Sequence, residues 1–155
     1  MTQIFYGERL GRNGKIRLGC SAVIFSEDRE KVLLTQRLDN GQWCLPSGGA
    51  EAGESAAEAC EREVREETGL KVRVERLVGV YSDPNYLIEY EDGNRVQVVA
   101  INFEASILGG EIGLSNETTA INYFPLHEIS RMELTLNHKQ RILDTLTGQT
   151  EAFIR

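Results

Sequence analysis

The segment Gly48–Leu70 reads GGAEAGESAAEACEREVREETGL, and its residue order decides what can form there. The Gly48-Gly49 pair predicts a turn. Ser55, followed three residues later by Glu58, is a capping box that satisfies backbone N–H groups at a helix start. Gly69 supplies the left-handed residue that ends the helix. Between these caps Ala57, Cys60, Val64 and Thr68 recur at helical spacing and predict a small-residue face pressed against a sheet. Glu63, Glu66 and Glu67 stand at i, i+3 and i+4 and share another face. Like charges stacked this way repel by about a few tenths of a kcal/mol per pair on an exposed helix. Such a cluster of hard oxygen donors suits Mg2+ or Mn2+, which turns the repulsion into ligation. A solvated acidic helix face is the alternative.

The spacing argues for the first reading, because the stretch resembles the signature of the Nudix hydrolases. That signature runs Gly, five residues, Glu, seven residues, Arg-Glu, an aliphatic, any residue, Glu-Glu, any residue, Gly and an aliphatic. Gly48, Glu54, Arg62, Glu63, Val64, Glu66, Glu67, Gly69 and Leu70 fill every specified position. Trp43-Cys44-Leu45-Pro46 is similar to the strand that leads into the loop in that family. Ser47 departs from it, standing where many members have another Gly. The resemblance implies that the Ser47 backbone carbonyl joins Glu63, Glu66 and Glu67 as a metal ligand, a role a small Ser tolerates. It also implies a distant loop carboxylate ahead of a strand that begins with an aromatic residue. Glu117, six residues before Tyr123-Phe124, is the candidate, with an exposed loop glutamate as the alternative. Gly48, Gly49, Glu51, Glu54 and Gly69 are then loop and structural positions.

The chemistry can be stated from the residues themselves. A phosphoanhydride resists water because its charged oxygens repel an attacking hydroxide. Divalent cations neutralise those oxygens and activate water, and a positioned carboxylate takes its proton. Glu67 and Glu63 rank first among the ligands, and Glu63, Glu104 and Glu117 are the candidates for general base. Arg62, beside the acidic face, is placed to orient a glutamate through paired hydrogen bonds. Glu54, at the loop-to-helix junction, is placed to tie the loop down.

Outward from this segment the chain reads as alternating strands and turns. Residues 1–15 form an edge strand or an arm. Arg17–Phe25 and Val32–Arg37 are strands that form a hairpin-like pair, followed by the tight turn Asp39-Asn40-Gly41. Lys71–Tyr81 is a strand, Ser82–Asn85 a turn and Tyr86–Asn94 a polar excursion. Arg95–Ile107 is the longest strand-like run, broken by Gly109-Gly110. Ala120–Phe124 is a short strand and His138–Leu146 an amphipathic helix. Five or six strands with a central and a terminal helix predict an α/β (α+β) fold, a mixed sheet sandwiched between helices. The Nudix resemblance implies the same α/β/α sandwich, as one domain over residues 1–155.

Composition limits the partners. A chain of 155 residues carries a net charge of −7, which argues against indiscriminate binding to nucleic acid or anionic membrane. It leaves a phosphorylated small molecule open, since bound cations invert the local field. Cys20, Cys44 and Cys60 are odd in number, lack metal-type spacing and lie in apolar stretches, predicting buried free thiols. With no signal peptide or membrane-spanning run, the expected location is the cytoplasm. His127 and His138 read as residues of surface elements without a catalytic role.

The resemblance implies a nucleoside diphosphate linked to another moiety as substrate. Phe5, Tyr6, Tyr81, Tyr86, Tyr90 and Phe124 are candidate base-stacking platforms. Pro84 and Tyr86 fall where family subgroups carry distinguishing residues, so Tyr81, Pro84 and Tyr86 are candidate substrate contacts. The lean is towards a nucleotide sugar such as ADP-ribose. Nucleoside triphosphates, dinucleoside polyphosphates and a non-catalytic nucleotide-sensing module remain alternatives. An isomerase on this fold would need a catalytic cysteine, and Cys44 between Trp43 and Leu45 reads instead as core. The fold also accommodates a homodimer.

Overall fold

The computed structural model describes residues 2–155, so Met1 lies outside it. In chain order the strands are β1 (Gln3–Tyr6), β2 (Lys15–Val23), β3 (Lys31–Arg37), β4 (Trp43–Cys44) and β5 (Ser47–Gly49). They continue as β6 (Leu70–Tyr81), β7 (Tyr86–Glu89), β8 (Arg95–Gly110), β9 (Thr118–Pro125) and β10 (Phe153–Ile154). The helices are α1 (Ala56–Thr68), α2 (Leu126–Ile129) and α3 (His138–Leu146), with a 3₁₀ turn at Leu10–Asn13.

Two sheets result. A seven-stranded mixed sheet is built on β8, which runs parallel to β2 and antiparallel to β7 and β6, while β1 closes one edge and β5 the other. A three-stranded antiparallel sheet orders β4-β3-β9. Period-two alternation lets each central strand serve two helices. Cys20, Ala22 and Ile24 of β2 and its extension, with Leu33 of β3, pack against Ala59, Cys60 and Val64 of α1. The intervening Val23, Val32 and Leu34 pack with Ile129 and with Ile142 of α3. The sheets are therefore sandwiched between α1 and α3, as the sequence pattern predicts.

The local signals around α1 hold. Ser55 and Glu58 form the reciprocal capping box, with Ser55 N–H donating to Glu58 Oε2 at 2.7 Å and Glu58 N–H to Ser55 Oγ at 3.2 Å. Gly69 ends the helix at φ 78°. The buried stripe is Ala59, Cys60, Val64 and Thr68, with Ala57 only partly covered, because α1 is wedged between two sheets and not laid on one.

Four expectations need correction. Strands β2 and β3 do not form a hairpin, because both edges of β2 are taken by β8 and β5; they meet only at a Phe25–Val32 bridge and a Leu33 N–H bond to Ile24 O. Residues 86–89 are not a polar excursion but strand β7, whose Tyr86, Leu87 and Ile88 are buried beneath the β1 pairing. The Gly109-Gly110 pair does not break β8, which pairs with Leu70 and Lys71 through those glycines. Gly110 is needed there for its φ of 87°. Among the described residues ten strands form, not five or six, since short strands such as β4, β5 and β10 carry too few residues to show alternation. Residues 3–6 take the edge-strand alternative, and His138–Leu146 is helical over the expected span. Cys20, Cys44 and Cys60 are buried free thiols. Among the described residues no helix is long and apolar enough to cross a membrane.

Candidate active site

Strand β5 is short because its glycines leave no side chains to pack, and three pairings with β2 pin it: Gly49 to Gly19, Gly48 to Cys20 and Ser47 to Ser21. This holds the loop against the start of α1. Arg62 then ties loop and helix together. Its Nε and Nη2 grip both oxygens of Glu54 at 2.5 and 2.9 Å, and Nη2 also donates to Gly49 O at 3.0 Å. Its Nη1 donates to Glu63 Oε1 at 2.7 Å and to Glu66 Oε2 at 3.2 Å. Glu54 in turn accepts from Glu51 N–H at 3.0 Å. The Arg62 bonds hold the Glu54 carboxyl down to a pKa of about 2. Arg62 thus bonds Glu63, Glu66, Glu54 and the Gly49 carbonyl together.

Glu67 faces inward. Ser47 N–H donates to its Oε2 at 3.0 Å. Burial first, then the nearby charges of Glu63 and Glu117, outweigh that bond and raise its pKa to about 8. Burial also raises Glu63, against the pull of Arg62. Glu117 arrives from the loop before β9, held by its N–H on Ser115 Oγ at 3.1 Å and by its carbonyl accepting from Leu38 N–H at 3.0 Å. Ser47, Gly48, Gly49, Glu51, Arg62, Glu63, Glu66, Glu67 and Glu117 all line one cavity of about 830 Å³.

Among the described residues no three His, Cys, Asp or Glu side chains converge as a ready cage for an ion. The reason is visible in the bonding: Glu63 and Glu66 are drawn onto Arg62, and Glu67 onto the Ser47 amide. The donor set still fits a hard divalent cation, being hard carboxylate oxygens of which Glu67 resists ionisation through burial and, after that, the charges of Glu63 and Glu117. Gly48 is part of this fit, because a Cβ there would overlap the Glu63 carboxylate. Gly48→Ala is therefore expected to displace that flexible side chain at little cost in unfolding temperature, while lowering kcat by about tenfold or more. A variant equally active, or one that unfolds, would contradict this placement; melting curves beside initial rates read both.

Other candidates fall elsewhere. Tyr81 is fully buried, its hydroxyl donating to Asp144 Oδ2 at 2.8 Å, and Tyr86 is buried with its hydroxyl on Val98 O at 3.0 Å. Pro84 serves as a backbone acceptor for Gly11 N–H. None of the three lines the cavity: Tyr81 and Tyr86 are buried on their strands, and Pro84 lies in the turn between β6 and β7. Glu104 lies off the cavity too, paired with Arg76 at 2.8 Å and Arg29 at 2.9 Å. Phe124 packs edge-on to Trp43 at 4.7 Å in the core. Of the aromatic candidates Tyr90 reaches the cavity, its hydroxyl accepting from Arg17 Nη1 at 2.9 Å. His127 is exposed as expected, but His138 is buried and lines the cavity. Sequence reasoning missed His138 and Arg141, although both stand on the face of α3 that also carries Ile142 and Thr145 inward.

Comparison with known proteins agrees with this geometry. A family model described as NUDIX domain matches residues 15–145. An ADP-ribose pyrophosphatase of Methanocaldococcus jannaschii is 35% identical over 121 residues, covering 76% of this chain and 67% of that protein. A MutT-like protein of Streptomyces ambofaciens is 34% identical over 128 residues, covering 83% and 75%. The crystal structure of an ADP-ribose pyrophosphatase from Streptococcus suis superposes with a TM-score of 0.69 at 27% identity, covering 90% of this chain and 97% of that one.

Proposed function

The chain belongs to the Nudix family and is a Nudix-type pyrophosphohydrolase, and from that premise we propose that it cleaves the phosphoanhydride of a nucleoside diphosphate linked to a second moiety, a nucleotide sugar of the ADP-ribose kind being the first to test. The observation that carries this is the meeting of Glu63, Glu66 and Glu67 from α1 with Glu117 from a remote loop on one cavity wall. Glu67 and Glu63, with Glu66, Glu117 and the Ser47 carbonyl, would hold Mg2+ or Mn2+. When bound, the ion supplies charge neutralisation at the phosphate oxygens and activates water.

The chain's own residues do the rest. Arg62 keeps Glu63 and Glu66 aimed into the cavity and locks the loop through Glu54 and Gly49 O. Glu63 and Glu117, besides being candidate ligands, are the carboxylates proposed to take a proton from the attacking water, Glu117 being held on its own loop. Cys20, Cys44 and Cys60 take no part, since burial raises each thiol's pKa, that of Cys44 to about 11. Attack is by water, with no covalent intermediate.

The names of two relatives favour ADP-ribose, and a further relative named as a putative 8-oxo-dGTP diphosphatase favours a nucleoside triphosphate as the second reading. A phosphate-release screen with Mg2+ or Mn2+ tests both, using a coupled phosphatase on nucleotide sugars, nucleoside triphosphates, dinucleotides and dinucleoside polyphosphates. A clear preference for a nucleotide sugar is the expected outcome. Preference for a triphosphate would move the assignment to the second reading, and silence across the panel would count against hydrolysis of this class.

A further inference from the structure

The cavity lined by the glutamates is also lined by residues of α3. His138 and Arg141, one helical turn apart, both line it while being only 5% and 2% exposed. Asn137 and Ser21 fix the guanidinium: Nε donates to Asn137 Oδ1 at 2.8 Å and Nη1 to Ser21 Oγ at 3.0 Å. The Ser21 hydroxyl passes its own hydrogen to Asn102 Oδ1 at 2.7 Å, which leaves Ser21 Oγ free to accept. Among the described residues no carboxylate pairs with Arg141, and its Nη2 has no hydrogen-bond partner. The charges and dipoles around it are those of Tyr86, Tyr81 and Cys44, which are neutral groups at ordinary pH; burial lowers the Arg141 pKa only to about 10, so it remains a cation.

His138 adds a second donor. Its Nδ1 accepts from Leu45 N–H at 3.0 Å, so the neutral ring carries its hydrogen on Nε2. Burial, with the charges of Arg141 and Arg37, keeps the ring neutral. Nε2 has no hydrogen-bond partner among the described residues. A guanidinium has no acceptor, and the one acceptor of this imidazole is used. These two side chains therefore offer donors alone.

A structural role for Arg141 is the plain alternative: it braces Asn137 and Ser21 and lies 5.4 Å from the Tyr81 ring centroid. A brace does not require a charge, however, and a buried charge without a counter-charge is costly. We propose that Arg141, with His138 beside it, is the specificity-determining contact for the part of the substrate that reaches α3, and that it receives a group presenting only acceptors. Two sources have that chemistry: the oxo edge of a guanine or uracil ring, and the carboxylate or phosphate of the attached moiety. Guanine offers O6 and N7 to the fork of an arginine, whereas adenine would turn its amino group towards two donors. The inference rests on the nucleotide-hydrolase reading and, within the nucleotide sugars, shifts the substrate from ADP-ribose towards one with an oxo-edged base or an anionic attached moiety.

Titration calorimetry with GDP, UDP, ADP, UDP-glucose and UDP-glucuronate, on wild type and Arg141→Met, tests it without requiring turnover. If the base is read, GDP or UDP binds wild type roughly tenfold or more tightly than ADP, and Arg141→Met brings that ratio near one. If the anionic moiety is read, the bases bind alike, UDP-glucuronate exceeds UDP-glucose, and that ratio collapses in the variant. Equal weakening of all five, or no change in any ratio, makes Arg141 a brace and overturns the inference. Arg141→Lys keeps the charge without the fork and reads the same ratios should the Met variant not fold. Absence of binding by every compound to wild type overturns both readings, whereas hydrolysis with ratios untouched by Arg141→Met overturns this one alone.

Discussion

Glu67→Gln is expected to lower kcat by at least about a hundredfold, the scale of losing a carboxylate that takes part directly in metal-assisted proton chemistry. The substitution is nearly isosteric, and a Gln oxygen can still accept the Ser47 N–H that now bonds Glu67 Oε2 at 3.0 Å. The loop between β5 and α1 should keep its place. Without a cation the folded state already favours a neutral side chain here, since burial and the neighbouring carboxylates raise the Glu67 pKa to about 8. The variant should therefore melt no lower than wild type in chelator. Initial rates on the best substrate and unfolding curves in EDTA separate the two effects. Wild-type turnover in a folded Glu67→Gln protein would remove Glu67 from the reaction and with it the assignment of this wall.

What the sequence disclosed and what it hid follow from the range of the interactions involved. The capping box, the Gly69 cap and the Arg62-to-glutamate grip join residues within one helix and its loop, so their spacing carried the geometry. The arrival of Glu117 beside them depends on β9 pairing with β3, which only a resemblance to a known family could suggest. The aromatic candidates misled because one strand alternation cannot say which face will be open. Tyr81 and Tyr86 are buried on their strands, while Tyr90, just past the end of β7, reaches the cavity. Arg141 was hidden for a related reason: an arginine on an amphipathic helix is ordinarily at the surface. Only the contact of α3 with β2, which brings Ser21 to its guanidinium, shows it buried.

Divalent cation should raise the unfolding temperature, and the rise should grow with pH. The sign follows from Glu67. Its carboxyl ionises near 4.5 when unfolded and at about 8 when folded without a cation. Between those values the folded chain holds a proton that the unfolded chain has released, so stability falls as pH rises through the window. Glu63, raised in the same direction by burial, adds to the fall. A cation binds the ionised carboxylates and must displace that proton, so it binds more tightly as pH approaches 8 and offsets the loss. At a hundredfold excess over its Kd the ion contributes about 2.7 kcal/mol, or roughly 5–10 °C for a chain of this size. Melting curves at pH 5.5 and 8, with EDTA or millimolar Mg2+ or Mn2+, should show a larger shift at the higher pH. Glu67→Gln has no proton to release at that position, so both its fall in EDTA and its metal-induced shift should shrink. A shift that is absent at both pH values, or of the same size in the variant, would show that the carboxylates of α1 do not hold the ion.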